Sequence, residues 1–490
     1  MKPLRHLAPD EAAALIDDGM TVALGGFTAA GAPKAVPLAL AARARAEHAA
    51  GRPFRVRLLS GASTGAADDA LAEASAISFR APYQSSRALR QQINAGEVAY
   101  VDLHLSHVAP MVQAGLLGAI DVAIVEATDV TVDGRIALTT GIGVAPTFLR
   151  SARRIVVELN RRQDARLHRL HDLAVLPPPP HRDVIPIHGV LDRIGGRRMR
   201  VEPDRIVGVV ETDADDAVAP FGADDATCGR IAEHLVRFLL DEVAAGRLPP
   251  GLLPIQAGVG NVSNAVLAAL GAHPDVPPFE MWTEVLQDGA VDLLLRGRIT
   301  AASSCALTLS APARARLLDA FDAVKDRLVL RPAEISNHPA LARQLALIAL
   351  NTALEVDLYG HVNSTHVLGT QMMNGIGGSG DFERNAYLSV FLCPSAQKGG
   401  AISTLVPMVS HVDHSEHSTQ VVVTEQGLAD LRGKAPFERA RLLIEQCAHP
   451  AYRDTLRAYV ASAPPGHLRH DLGQAFALHQ RLQATGRMLP

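Results

Sequence analysis

The chain has 490 residues, a net charge of −4, and 48% apolar against 20% charged residues. That length exceeds one ordinary hydrophobic core, so two or three domains are expected, and the balance is that of a folded chain. The basic residues are scattered, which speaks against a nucleic-acid reader; the local cluster Arg197, Arg198 and Arg200 reads as solvated surface, with a phosphate contact as the other reading.

From the start, Met1–Asp10 carries charges with no apolar core after it, unlike a secretory leader. Short runs rich in Val and Ile predict strands at Thr21–Leu24, Val122–Val125, Ile155–Leu159 and Ile206–Val210, then at Leu253–Gln256, Met281–Leu286, Leu405–Val409 and Gln420–Thr424. Between them, helical spacing predicts helices over Pro37–Ala49, Ile231–Ala245 and Ala340–Leu354. Strands alternating with helices predict an α/β fold. The proline run Pro177–Pro180 is an extended connector, and the acidic stretch Glu211–Asp225 marks a boundary, dividing the chain into 1–222 and 223–490. Leu248–Pro274 carries no formal charge, but Pro249, Pro250, Pro254, Gln256, Asn261 and Asn264 suit a membrane span poorly. The four cysteines, Cys228, Cys305, Cys393 and Cys447, show no CxxC spacing, which argues against a zinc ribbon and a disulfide framework. A cytoplasmic protein without membrane or nucleic-acid partners is expected.

Four stretches carry candidate chemistry. Gln256-Ala-Gly-Val-Gly-Asn-Val-Ser-Asn264 leaves a strand and enters a helix; it reads either as an anion site built from amides or as a tight turn, since a lone GxG is weak evidence. In Met281-Trp-Thr-Glu-Val-Leu286, a strand would turn Trp282, Glu284 and Leu286 to one face. A carboxylate among such neighbours is a functional candidate with a raised pKa, although an edge strand with Glu284 in water is the plainer reading. Gly360–Gly400 begins with a turn between strands, Gly360-His-Val-Asn-Ser364. It continues with Met372-Met-Asn-Gly-Ile-Gly-Gly-Ser-Gly-Asp-Phe382, a packed loop able to present consecutive amides to an anion. His411-Val-Asp-His-Ser-Glu-His417 invites a metal reading on a helical face, but no zinc framework accompanies it, and structural histidines are the better reading.

Gly26-Phe-Thr-Ala-Ala-Gly31, Ser60-Gly-Ala-Ser-Thr-Gly65, Ile124-Val-Glu-Ala-Thr128, Gln256-Ala-Gly-Val-Gly-Asn261, Thr283-Glu-Val-Leu-Gln-Asp288, Asn374-Gly-Ile-Gly-Gly-Ser-Gly-Asp-Phe382 and Val422-Val-Thr-Glu-Gln-Gly-Leu-Ala-Asp-Leu-Arg432 occur in order along the chain. Together they resemble the acetyl-CoA hydrolase/transferase family of class I CoA-transferases, and are most similar to its succinyl-CoA:acetate branch. The resemblance implies two open α/β CoA-transferase domains with the active site in the cleft between them, and a homodimer. It also implies transfer of coenzyme A between acyl-CoA and short carboxylic acids through a glutamyl thioester on Glu284. It assigns the substrate oxyanion to the Gly258–Gly260 backbone and the glutamyl carbonyl to Asn337 and the Gly378 amide. Lys398 is the implied CoA-binding lysine, and Ser63 and Glu425 stand at further family positions near the site. No metal or redox cofactor is implied, because CoA is a substrate. One departure is Asp215-Asp-Ala-Val-Ala-Pro-Phe221, where Ala217 replaces the family's arginine. The alternatives are an acyl-CoA hydrolase, in which water resolves the thioester, and a CoA-binding protein with vestigial catalysis.

Overall fold

The computed structural model describes residues 3–63, 65–218 and 225–490. The chain divides into two compact units, Met1–Pro220 with Met281–Gln344 and Phe221–Glu280 with Leu345–Pro490. The expected boundary between residues 222 and 223 lies outside the described residues. The division differs from the expected 223–490 domain in one respect: Met281–Gln344, and Glu284 with it, belongs to the first unit.

The first unit is built on a mainly parallel sheet in the order Ala99–Tyr100, Ile77–Gln84, Val56–Ser63, Thr21–Leu24, Val122–Val130, with Val22 opposite both Leu58 and Val122. Arg154–Asn160 and Ile206–Thr212 extend it in parallel, and Arg135–Leu138 adds an antiparallel strand. Parallel neighbours need crossovers, which helices such as Ala35–Ala49 and Ala66–Glu73 provide. Both faces are covered, so the central strands are mainly apolar, as in Thr21–Leu24 and Val122–Val125. Val22 and Leu24 join Leu40 and Ala44 in one layer, while Ala23 joins Val108 and Phe148 in the other.

The second unit carries Ile255–Ala257, Ile348–Thr352, Leu388–Leu392 and Val421–Thr424 in parallel order, closed by the antiparallel Gly427–Asp430. Its long helix, Ala226–Ala244, starts where the Asp225 carboxylate accepts from the Thr227 N–H, and buries Ile231, Leu235 and Leu239 along one stripe.

Two expected elements are different. The helix expected over Ala340–Leu354 ends at Gln344, and Ile348–Thr352 is a strand. The apolar run Leu345–Leu350 has no polar face, and periodicity cannot separate a buried strand from a buried helix there. The strand expected over Met281–Leu286 is interrupted: Phe279–Trp282 and Val285–Leu286 are separate strands, and Glu284 occupies the bend. Among the described residues, no helix is long and apolar enough to cross a membrane.

Candidate active site

The bend at Glu284 is fixed through its own backbone. Its carbonyl accepts from the Ser304 hydroxyl at 2.8 Å, the Cys305 N–H at 3.0 Å and the Cys305 thiol at 3.0 Å. Burial, and secondarily the charge of Glu284, push the Cys305 thiol well above its ordinary range, so it stays protonated and able to donate. After the bend, Val285 and Leu286 pair in parallel with Ala306 and Leu307. The half-buried Glu284 thus sits between two strands that belong to different sheets, outside the alternation of either.

Asn337 reaches the carboxylate. It follows the short helix Ala333–Ser336, is fully buried, and donates its side-chain amide to Glu284 Oε1. The fully buried Trp282 braces this contact by donating its indole N–H to the Ser336 carbonyl at 2.7 Å. Behind Trp282, the Arg331 guanidinium lies 4.7 Å from the ring centroid. It donates to Ser303 Oγ at 2.7 Å, Asp172 at 3.0 Å and the carbonyls of Val190 and Asp192, each at 3.0 Å. The residues bracing Glu284 and Asn337 (Ser304, Cys305, Arg331 and Asp172) had no motif to announce them. Their one local signal was Arg331, a charge closing the apolar run Leu328–Leu330.

Ser63 ends the Val56–Ser63 strand and lines a cavity of about 220 Å³ in the first unit, with Thr28, Lys34, Asp215 and Ala217 also on its wall. The position at which the family arginine is missing therefore faces open space, while the rest of that stretch, Ala219–Phe221, lies outside the described residues. The turn beneath the cavity needs its glycine: Gly26 has φ +84°, and a Cβ there would stand 2.6 Å from the Ala32 nitrogen. Lys34 is committed to Glu126 and to Asp216 at 2.9 Å. Glu126 sits in the Ile124–Thr128 stretch, and burial raises its carboxyl despite the Lys34 charge.

In the second unit the Gly258 N–H donates to the Leu350 carbonyl at 2.9 Å, so that amide is engaged in holding the turn. Gly260 has φ +131° and ψ 178°, a backbone state open to glycine, and precedes the helix Asn261–Ala272. Gly378 precedes the short helix Ser379–Glu383, and its carbonyl accepts from the Asp381 N–H at 3.0 Å. The Ser379 hydroxyl closes the glycine loop onto the Ile376 carbonyl at 2.9 Å. Lys398, exposed and with φ +48°, opens the turn between Ala396–Gln397 and Ile402–Ser403. Glu425 clamps that hairpin, accepting from the Ser395 N–H at 2.8 Å and from the Ser395 hydroxyl. Burial would raise the Glu425 carboxyl, but these bonds and one from Gln426 hold it below its ordinary range. Lys398 and Glu425 are thereby linked through Ser395, a relation their separation in sequence concealed.

The turn expected at Gly360–Ser364 lies earlier, between the strands Glu355–Asp357 and Val362–Asn363, with the Asp357 carboxylate accepting from the N–H groups of Tyr359, Gly360 and His361, each at 3.0 Å. The His411–His417 stretch is irregular, so its histidines do not share a helical face. His411 lies beside Asp413 at 3.4 Å and stacks on His366, while His414 is buried against Phe391. No group of three or more metal-ligating side chains is gathered among the described residues.

Comparison with known proteins places the chain in a family. Residues 4–211 match the acetyl-CoA hydrolase/transferase N-terminal domain, and residues 314–460 match the C-terminal domain. The chain is 53% identical over 485 residues to the propanoyl-CoA:succinate CoA transferase of Escherichia coli strain K12, covering 99% of both chains. It is 43% identical over 483 residues to the succinyl-CoA:acetate CoA-transferase of Clostridium kluyveri, covering 98% of this chain and 89% of that one. The 4-hydroxybutyrate CoA-transferase of Porphyromonas gingivalis shares the fold, with a TM-score of 0.63 at 20% identity, over 93% of this chain and 97% of that one. An α/β chain matched by both domains of one enzyme family, and aligned to its members almost end to end, belongs to the acetyl-CoA hydrolase/transferase family.

Proposed function

We propose that this enzyme is a CoA-transferase that moves coenzyme A between short acyl-CoA thioesters and carboxylates through a covalent thioester on Glu284. The observation that carries the proposal is the Asn337 amide bonded to the Glu284 carboxylate at a bend that frees this side chain from its strand. A nucleophilic carboxylate must be ionised yet poorly hydrated, and the half-buried position against a fully buried donor suits that requirement.

In the proposed reaction a Glu284 oxygen attacks the acyl-CoA carbonyl carbon, the C–S bond breaks, and CoA leaves as thiolate, the acyl group staying on Glu284 as a mixed anhydride. The thiolate then attacks the Glu284 carbonyl carbon, releasing the first acid as carboxylate and leaving the glutamyl–CoA thioester. An acceptor carboxylate attacks that carbon, expelling CoA thiolate, which takes the acyl group from the new anhydride and frees Glu284. At each step on the glutamyl carbon, negative charge builds on the carbonyl oxygen, where an amide donor stabilises it without competing as a nucleophile. Asn337 fills that role. The family resemblance gives Gly258–Gly260 and Gly378 the remaining oxyanion duties; since the Gly258 N–H is engaged with Leu350, Val259 and Gly260 are the donors to test in that turn. Lys398 is proposed to contact CoA. No electrons are exchanged in this sequence, so it calls for no redox cofactor.

For the acids, the two curated relatives share a succinyl or succinate partner in their names, paired with a propanoyl group or with acetate. Succinyl-CoA with acetate is the pair we propose to test first, and succinate with propanoyl-CoA the second. Intact-protein mass after incubation with each acyl-CoA, without acceptor, tests the mechanism. A CoA-sized adduct that borohydride destroys, and that Glu284→Ala lacks, is the expected result. No adduct with any short acyl-CoA, alongside tight CoA binding, would sink the transferase reading. An adduct that turns over without an acceptor would convert it to the hydrolase.

A further inference from the structure

A chain of buried polar side chains runs through the second unit between the two glycine turns. Gln256, the second residue of the Ile255–Ala257 strand, precedes Gly258; Asn351 lies in the neighbouring Ile348–Thr352 strand; Glu383 ends the helix that Gly378 begins; Ser389 is in the Leu388–Leu392 strand. All four are buried, with 2%, 6%, 1% and 0% of their surface exposed. The Asn351 side-chain amide donates in both directions, to Gln256 Oε1 at 2.8 Å and to Glu383 Oε1 at 2.7 Å. The Ser389 hydroxyl donates to the other Glu383 oxygen.

The chain touches the first turn sterically as well. A Cβ placed on Gly258 would stand 3.2 Å from Asn351 Oδ1, so the amide forms the wall against which that glycine packs. The Gly258 N–H is tied to Leu350, the residue before Asn351. At the other end, Glu383 lies five residues after Gly378 and fixes the short helix whose first turn is capped by the Gly378 carbonyl.

We propose that Glu383 is a positioning residue: through Asn351 it locks the Gly258–Gly260 turn and the Gly378 turn into one mutual geometry. This inference rests on the reading above, in which both turns supply backbone donors to the reaction. Buried polar chains with every member bonded rigidify what they connect, and removing one member leaves the others orphaned. Burial holds the Glu383 carboxyl up at about 8, so it carries its proton at neutral pH and acts as a hydrogen-bonding group, not a charge. A glutamine keeps that shape and accepts from Asn351 through its Oε1, with its Nε2 donating to the Ser389 hydroxyl in place of the bond received from it; an alanine does neither.

The test compares Glu383→Ala, Glu383→Gln and Asn351→Ala by hydrogen–deuterium exchange and by the rate of CoA-adduct formation with succinyl-CoA. Glu383→Ala and Asn351→Ala are expected to raise exchange in peptides spanning 258–264 and 374–383 together. Both should slow adduct formation by up to about 100-fold, as misplacement of a catalytic group does, with little change in KM for the acyl-CoA. Glu383→Gln is expected to match the wild type in both readouts. Faster exchange in the 374–383 peptide alone, or a Glu383→Gln variant as impaired as Glu383→Ala, overturns the proposal. If Glu383→Ala does not accumulate folded, Asn351→Ala and Glu383→Gln decide the same question. A wild type that forms no adduct defeats the catalytic reading, while the exchange data still settle whether the turns are coupled.

Discussion

Asn337 donates its side-chain amide to Glu284 Oε1 from a position with no solvent exposure of its own, 53 residues further along the chain. The donor is held before any substrate arrives, because its backbone N–H is bonded to Ala333 at 2.8 Å and the preceding carbonyl to Trp282. A donor fixed in advance needs no reorganisation when charge develops on the glutamyl oxygen. Asn337→Ala should therefore slow CoA-adduct formation by about 100- to 1,000-fold, with KM for the acyl-CoA little changed. Rapid-quench single turnovers read by intact mass would check this. A KM effect alone would assign Asn337 to ground-state binding.

The brace behind Trp282 gives a stability prediction. Arg331 and Asp172 are both fully buried and paired at 3.0 Å, and Asp172 also accepts from the N–H groups of Ile194 and Gly195 at 2.8 and 2.6 Å. Arg331→Met leaves Asp172 as a buried carboxylate without its cation and removes the guanidinium from the Trp282 ring. Breaking one side of such a pair costs about 3–5 kcal/mol. Urea unfolding should show a loss in that range. Adding Asp172→Asn should recover part of it, since Asn keeps the acceptor for Ile194 and Gly195.

How much of this was legible beforehand depended on whether a feature was local. The Gly26, Gly258–Gly260 and Asn374–Gly378 turns were readable because glycines at strand ends announce themselves within a few residues. Glu284 was readable as a misfit, a carboxylate between Trp282 and Leu286. Its actual setting was not, because the bend is imposed by Ser304 and Cys305 about twenty residues away, and strand alternation is the default until such a partner is seen. The same holds for the Gly258 N–H: glycine spacing predicts a donor, but its capture by Leu350 depends on which strand lies alongside. Leu345–Leu350 defeated the reading for the opposite reason, offering no polar residue to set a period.

Gly260 makes a separate prediction because its constraint is conformational. Among the described residues nothing lies within 4 Å of where its Cβ would stand, yet its φ of +131° is one that side-chain-bearing residues rarely adopt. Gly260→Ala should destabilise by about 1–3 kcal/mol if the turn keeps its shape. Should the turn relax instead, stability will be recovered and the adduct rate will fall. Gly258→Ala differs, since its Cβ would press on Asn351 Oδ1 at 3.2 Å and disturb the Gln256–Glu383 chain. Measuring melting temperature and adduct rate for both variants separates strain from displacement.

Two buried carboxyls set a pH dependence of stability. Burial raises Glu383 to about 8, and raises Glu334 to about 7 even though Arg182 pairs with it. Each folded-state value lies above the ordinary 4.5 of the unfolded chain, so the folded protein keeps protons that the unfolded chain has released. Their contribution to stability is fully present below about pH 4.5 and is lost as pH rises, the loss ending near 7 for Glu334 and near 8 for Glu383. Urea midpoints should fall from pH 7.5 to 8.5; at lower pH the fall is opposed by the buried His171, held down at about 3, whose contribution to stability grows until the unfolded imidazole has lost its proton near 6.5. Glu334→Gln removes one titrating group and should lessen the slope mainly below pH 7.5. Glu383→Gln should lessen it across the whole range, including the step from pH 7.5 to 8.5, where Glu334 has mostly ionised already. A Glu383→Gln variant that keeps the full wild-type slope at the alkaline end would mean that the Glu383 carboxyl ionises at an ordinary pH despite its burial.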